Sequence, residues 1–226
     1  MENLSEIKPS TVKLLYQIMY DFDRIMRNKC LTYWIDGGTL LGSVRHKGII
    51  PWDDDIDVGI LNKNVNKFLS LTKEFKKCGY SICKVWFGYK IFYTNRKKII
   101  VNGNKTCYSF PFIDVLIYNK FSDGKFKLTK KEARDAWPKE VWSKKDLFPV
   151  TQYKFGKFYV MGPNRCLNYL DKYYGKDWND IAYREYDHEK EKEVKKIKVK
   201  LTNKMREPAK PFDKIINRKC IKNDYD

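Results

Sequence analysis

The stretch 51-PWDDDIDVGI-60 sets four carboxylates, Asp53, Asp54, Asp55 and Asp57, among five positions of a chain whose formal net charge is +18. Two like charges about 4 Å apart repel by roughly 4 kcal/mol at an effective dielectric of about 20, so such a cluster calls for a cation. From Asp55 onward Ile56, Val58 and Ile60 alternate with Asp55, Asp57 and Gly59, the period of a half-buried strand. Successive strand side chains point to opposite faces. Asp53, Asp55 and Asp57 are therefore expected on one face. Asp54 is expected on the other, as a support for the loop that carries Arg45 and His46. Three carboxylates on one edge make a hard-oxygen set for Mg²⁺ or Mn²⁺, the cofactor this pattern predicts. A solvated acidic loop is the plain alternative, and the apolar alternation argues against it.

Around this segment the chain reads as one domain with an appendage. Its 226 residues suffice for a core, and 15% aromatic content excludes a disordered chain. No apolar run reaches the 18 or so residues of a membrane span, and the start lacks a signal-peptide pattern, so cytoplasmic residence is expected. The six cysteines are scattered without a C-x-x-C pair and are expected as free thiols. Two histidines, His46 and His188, make an ordinary zinc site improbable. The basic excess fits a polyanionic partner or a plain lysine-rich surface.

Residues 11–30 carry Leu15, Ile18, Met19, Phe22, Ile25 and Met26 at helical spacing. A strand follows over 31–35, then a short helix over 39–48 stopped by Gly48. The acidic strand comes next, and an amphipathic helix is predicted over 63–78. The runs between 79 and 118 are predicted as strands of one continuing sheet. A hairpin is expected around Gly156, a helix over 164–174 capped by Gly175, and a charged helix or frayed tail beyond about 184. The fold class is thus α/β (α+β), a mixed sheet flanked by helices. A catalytic domain is expected over 1–183, and a lysine-rich helical or flexible extension over 184–226.

Two further elements carry chemistry. Asp36-Gly37-Gly38-Thr39 joins a strand to a helix, where backbone N–H groups and the helix dipole favour phosphate oxygens. Ser43, Arg45, His46 and Lys47 follow and are candidate contacts to a diphosphate, with Trp52 as an apolar wall. His46 serves equally as a surface or supporting residue. Asp114 lies inside the apolar run 110-FPFIDVLIY-118, where an unpaired carboxylate is costly, so it is expected to join the metal from a neighbouring strand.

A glycine turn, a D-x-D strand and a later strand carboxylate make the pattern of a nucleotidyltransferase fold. The segment 36-DGGTLLGSVRHKGIIPWDDDIDVGI-60 resembles the signature of the LicD family, which includes phosphocholine transferases and fukutin-related proteins. The stretches 111-PFIDVLIY-118 and 147–178 resemble two later blocks of that family. The resemblance implies transfer of a phospho-alcohol from a CDP-linked (or other nucleotide-diphosphate) donor to a hydroxyl of a glycan or glycoconjugate, with a divalent metal. By the same resemblance Asp55 and Asp57 are the metal-binding D-x-D, Asp53 the acidic position before it, and Asp114 the third carboxylate. Gly37, Gly38 and Thr39 would contact phosphate. Asp114 is the candidate base and Arg45 the group that neutralises charge on the leaving nucleotide. Nucleotidyl transfer from an NTP would use the same carboxylates. A basic nucleic-acid-binding protein is a third reading, and the acidic cluster and scarce aromatic interleaving of the lysines disfavour it.

Overall fold

The structure, a computed structural model, describes residues 4–212 and 215–218. Helix α1 (Pro9–Asn28) starts on a proline, whose fixed φ suits a first turn, and buries Leu15, Met19, Phe22 and Met26. The two-residue strand β1 (Trp34–Ile35) leads into α2 (Gly37–Arg45), and β2 (Ile56–Leu61) carries the end of the acidic segment.

The helix predicted over 63–78 is two, α3 (Val65–Ser70) and α4 (Thr72–Lys77). Ser70 and Thr72 donate their hydroxyls to the carbonyls of Lys67 and Leu69, at 2.7 and 2.6 Å. Such local bonds compete with the helix ladder. Phe68 and Phe75 still reach the core.

Strands β3 (Tyr80–Lys84), β4 (Gly88–Tyr93), β5 (Lys98–Val101), β6 (Asn104–Ser109) and β7 (Phe112–Lys120) follow. Next come β8 (Phe126–Leu128), α5 (Lys131–Ala136), β9 (Val141–Trp142) and α6 (Lys144–Leu147). The chain continues through β10 (Thr151–Phe155), β11 (Phe158–Gly162), α7 (Leu167–Tyr174), β12 (Ile181–Asp187) and β13 (Lys192–Lys200).

The main sheet runs β1-β2-β7-β4-β3, with β8 also on β7 and β9 on β8. Among the described residues only β2 and β7 pair in parallel, so the sheet is mixed as expected, with helices packed around it. β5 and β6 leave it as a separate two-stranded ribbon, which corrects the single continuing sheet. The hairpin around Gly156 and the Gly175 helix cap are present.

Two expectations are overturned. The sequence predicts a charged helix or frayed tail beyond about 184, yet β12 and β13 form an antiparallel hairpin, and the boundary at 183 falls inside β12; residues 213–214 and 219–226 of the expected extension lie outside the described residues. Lys196, Ile197, Lys198, Val199 and Lys200 alternate with period two, and Ile197 and Val199 pack on the core. That half-buried packing outweighs the helix-compatible lysine composition. The cysteines are not all free thiols: Cys83 and Cys107 form a disulfide between β3 and β6. Cys30 and Cys166 are free. No described helix is long and apolar enough to cross a membrane.

Candidate active site

Strand register builds the centre of the site. The parallel pairing of β2 with β7 sets Asp57 opposite Asp114, and the antiparallel pairing of β4 with β7 sets Lys90 opposite Asp114. Cross-strand partners share a face, so three charged side chains stand in a row across three strands. Lys90 Nζ lies 2.7 Å from Asp114 Oδ1 and 3.0 Å from Oδ2, and 3.4 Å from the centre of the Phe112 ring. Asp55 completes the group: one oxygen each of Asp55, Asp57 and Asp114 lies within 4.8 Å of the others.

Burial and mutual repulsion make these acids reluctant anions. Burial, and then the neighbouring carboxylates, push Asp55 up to about 8 and Asp57 well above the usual range. Burial also raises Asp114, with Lys90 pulling against it. Burial lifts Asp53 to about 6. Three converging hard oxygens whose repulsion a cation would relieve fit a divalent metal such as Mg²⁺ or Mn²⁺.

The glycine turn fits closely over these acids. Asp36 caps α2 by accepting from Gly37 N, and it also accepts from Trp34 Nε1 and the Tyr118 hydroxyl. Tyr118 also bonds Glu140, so two buried carboxyls share one phenol beneath the turn. Thr39 Oγ1 accepts from Asp57 N at 2.8 Å, tying helix to strand. A Cβ at Gly37, where φ is +48°, would sit 2.7 Å from Asp57 Oδ2. One at Gly38 would sit 2.5 Å from Asp53 Oδ2. Both positions therefore require glycine if the carboxylates are to lie this close. Asp53 packs against Gly38 and stands outside the Asp55–Asp57–Asp114 group.

The other expected contacts serve the fold. Ser43 Oγ donates to the Lys154 carbonyl. Arg45 Nη1 donates to the carbonyls of Trp178 and Ile181, at 2.5 and 3.1 Å, which makes it a tie rather than a group aimed at a leaving nucleotide. His46 is buried with its ring edge-on to Trp52, 5.6 Å between centres. Burial, and then Arg45, push it down to about 3, so it is neutral. Lys47 takes a left-handed φ of 61° just past α2 and donates to the Val44 carbonyl. Trp52 is buried too, as a wall.

Asp54 does not support the Arg45–His46 loop. It bonds His188, which reaches in from the turn of the β12–β13 hairpin: Nδ1 lies 2.7 Å from Asp54 Oδ1 and Nε2 3.2 Å from Asp55 Oδ2. Asp53, Asp54 and Asp55 precede β2 in irregular chain, so strand parity does not govern them. Burial opposes a charge on His188, but Asp55, Asp54 and Asp53 push it up to about 10. Two site residues escaped the sequence reading. Lys90 carries the same signal as Asp114, one charge within an apolar strand, and could have been found. His188 carries none, because a charged hairpin turn looks like any surface turn.

A family model for the LicD/FKTN/FKRP nucleotidyltransferase domain matches residues 30–165. An uncharacterized protein of Rickettsia typhi is 33% identical over 223 residues, 94% of this chain, and the chain spans 65% of that relative's length. Over shorter stretches, the lipopolysaccharide cholinephosphotransferase LicD of Haemophilus influenzae is 49% identical across 41 residues, 18% of this chain and 16% of its own. Human ribitol 5-phosphate transferase FKRP is 58% identical across 33 residues, 15% of this chain and 7% of its own. With the paired β2 and β7 acids and the glycine turn in place, this chain belongs to the LicD/FKTN/FKRP nucleotidyltransferase-domain family.

Proposed function

We propose that this chain is a metal-dependent transferase that moves a phospho-alcohol from a CDP-linked donor to a hydroxyl of a glycan or glycoconjugate. The observation that carries this reading is the meeting of Asp55, Asp57 and Asp114 beside the Gly37–Gly38 turn. Relatives named for moving cholinephosphate and ribitol 5-phosphate support the choice of group. A divalent cation held by the three carboxylates would offset the charge of the donor diphosphate. The first-turn N–H groups of α2, at Gly38 and Thr39, suit phosphate oxygens. Asp114 is the candidate to take the proton of the incoming hydroxyl, and Lys90 favours the ionised form that such a base needs.

The test is donor consumption. The full chain is incubated with CDP-choline, CDP-ribitol, CDP-glycerol, CTP or a UDP-sugar, each with Mg²⁺ and then Mn²⁺. Consumption of a CDP-alcohol is expected, and Asp57→Asn abolishes it while circular dichroism stays unchanged. Consumption of CTP alone would turn the reading to nucleotidyl transfer, and full turnover by Asp57→Asn would remove the carboxylate assignment.

A further inference from the structure

We propose that His188 Nε2 is a further metal ligand, beside Asp55 at the edge of the centre, and that Asp54 is the positioning residue that holds the ring; His188 groups with Asp54 and Asp55 rather than with Asp57 and Asp114. The inference rests on the metal-dependent reading above and deepens it by adding a nitrogen donor to an oxygen set. Its first support is spacing. Two donors on one metal at about 2.1 Å, set at right angles, lie roughly 3 Å apart. His188 Nε2 and Asp55 Oδ2 are 3.2 Å apart, the separation of neighbouring ligands on one ion.

The second support is orientation. Metal-bound histidines usually donate the other ring N–H to a carboxylate, which sets the tautomer and aims the free lone pair. Asp54 Oδ1 stands 2.7 Å from Nδ1, so the proton belongs on Nδ1 and Nε2 is turned toward Asp55. A cation arriving at Nε2 takes the place of any proton there, which leaves to solvent, while the Nδ1–H bond to Asp54 is kept. Asp54 is buried and His188 largely so, and the Phe112 and Tyr186 rings lie against the imidazole, 6.2 and 4.8 Å between centres. The ring is thus held in place before any ion enters.

The arrangement also makes a statement about the ion. An oxygen-only set suits Mg²⁺, whereas an imidazole donor moves preference toward Mn²⁺ and later transition metals. It gives the basic hairpin a function as well, because β12 and β13 carry the nitrogen ligand in their turn.

The experiment loads the full chain with Mn²⁺ alone and records electron spin-echo modulation together with Mn²⁺ and Mg²⁺ affinities. A single ¹⁴N coupling is expected, lost in His188→Gln. That variant loses Mn²⁺ affinity by about tenfold or more and Mg²⁺ affinity far less. Asp54→Asn is expected to weaken the ¹⁴N coupling and Mn²⁺ binding while leaving the circular dichroism of the fold intact. Bound Mn²⁺ without nitrogen coupling, coupling that survives His188→Gln, or no Mn²⁺ binding at all overturns the ligand assignment. A wild-type spectrum and affinity in Asp54→Asn overturn the positioning role. If a variant fails to fold, the wild-type spectrum still decides whether nitrogen binds. Donor consumption is scored on the same samples: turnover without nitrogen coupling removes the ligand alone, and coupling without turnover removes the transfer reading alone.

Discussion

At the residue scale, the two histidines of the chain stand in opposite surroundings. His188 is flanked by carboxylates and pushed up to about 10 against its burial, whereas burial and Arg45 push His46 down to about 3. The sign for His46 follows directly. An unfolded histidine titrates near 6.5, so below that pH the unfolded chain takes up a proton that the folded chain refuses. The stability that neutral His46 contributes is full above about 6.5 and is lost as pH falls from there through about 3. The loss amounts to about 1.4 kcal/mol per pH unit over that window. The raised carboxylates Asp53 and Asp55 act in the opposite sense over this range, so urea unfolding at pH 7.5, 6 and 5 should show it as the difference between wild type and His46→Phe, whose acid-side slope lacks the His46 loss. An unchanged slope in the variant would mean that His46 titrates freely. The residues most legible in the sequence were those whose charge interrupts an apolar strand, Asp57 and Asp114. A buried charge without partners is costly, so its presence announces a function. Arg45, His46 and Lys47 resembled phosphate contacts only by their types. Their partners, the Trp178 and Ile181 carbonyls among them, come from distant chain.

At the scale of elements, periodicity located most strands and helices, and it erred where two periods competed. The region beyond 184 is rich in lysine, a good helix former, yet Ile197 and Val199 alternate and the hairpin wins by packing them, half-buried, against the core. The disulfide between β3 and β6 belongs to this scale too, because it fastens the β5–β6 ribbon to the edge of the main sheet. Cysteine spacing could not reveal it, since pairing depends on which strands lie side by side. A cross-link closing a loop of this size is worth on the order of 2–4 kcal/mol. Cys83→Ser is therefore expected to lower the guanidinium midpoint and to release one titratable thiol, at Cys107. A variant with wild-type stability and no new thiol would count against the pairing.

For the whole molecule, a chain of net charge +18 concentrates carboxylates at one point of one sheet face. The fold brings Asp55, Asp57 and Asp114 together before any cation neutralises them, so metal-free protein bears their repulsion as a cost. A bound cation stabilises the folded state by mass action, about 2.7 kcal/mol at a hundred times its dissociation constant. For a chain of this length that is a rise in Tm of roughly 5–10 °C. Differential scanning calorimetry with Mn²⁺ should record the rise. Asp57→Asn should raise the metal-free Tm and remove most of the response, and an Mn²⁺ response equal to that of the wild type would contradict the centre as described.

The sequence by itself determined the acidic strand, the glycine turn before it, the lone Asp114 and the fold class, because alternation and turn chemistry are local and act within a few residues. Only the tertiary structure decided which groups meet those acids. Strand register set Lys90 against Asp114, and a hairpin turn 134 residues beyond Asp54 brought His188 to it. Pairings of that kind depend on how separate strands align and fold back. No local pattern of side chains encodes that alignment; it is settled by burying the whole core at once.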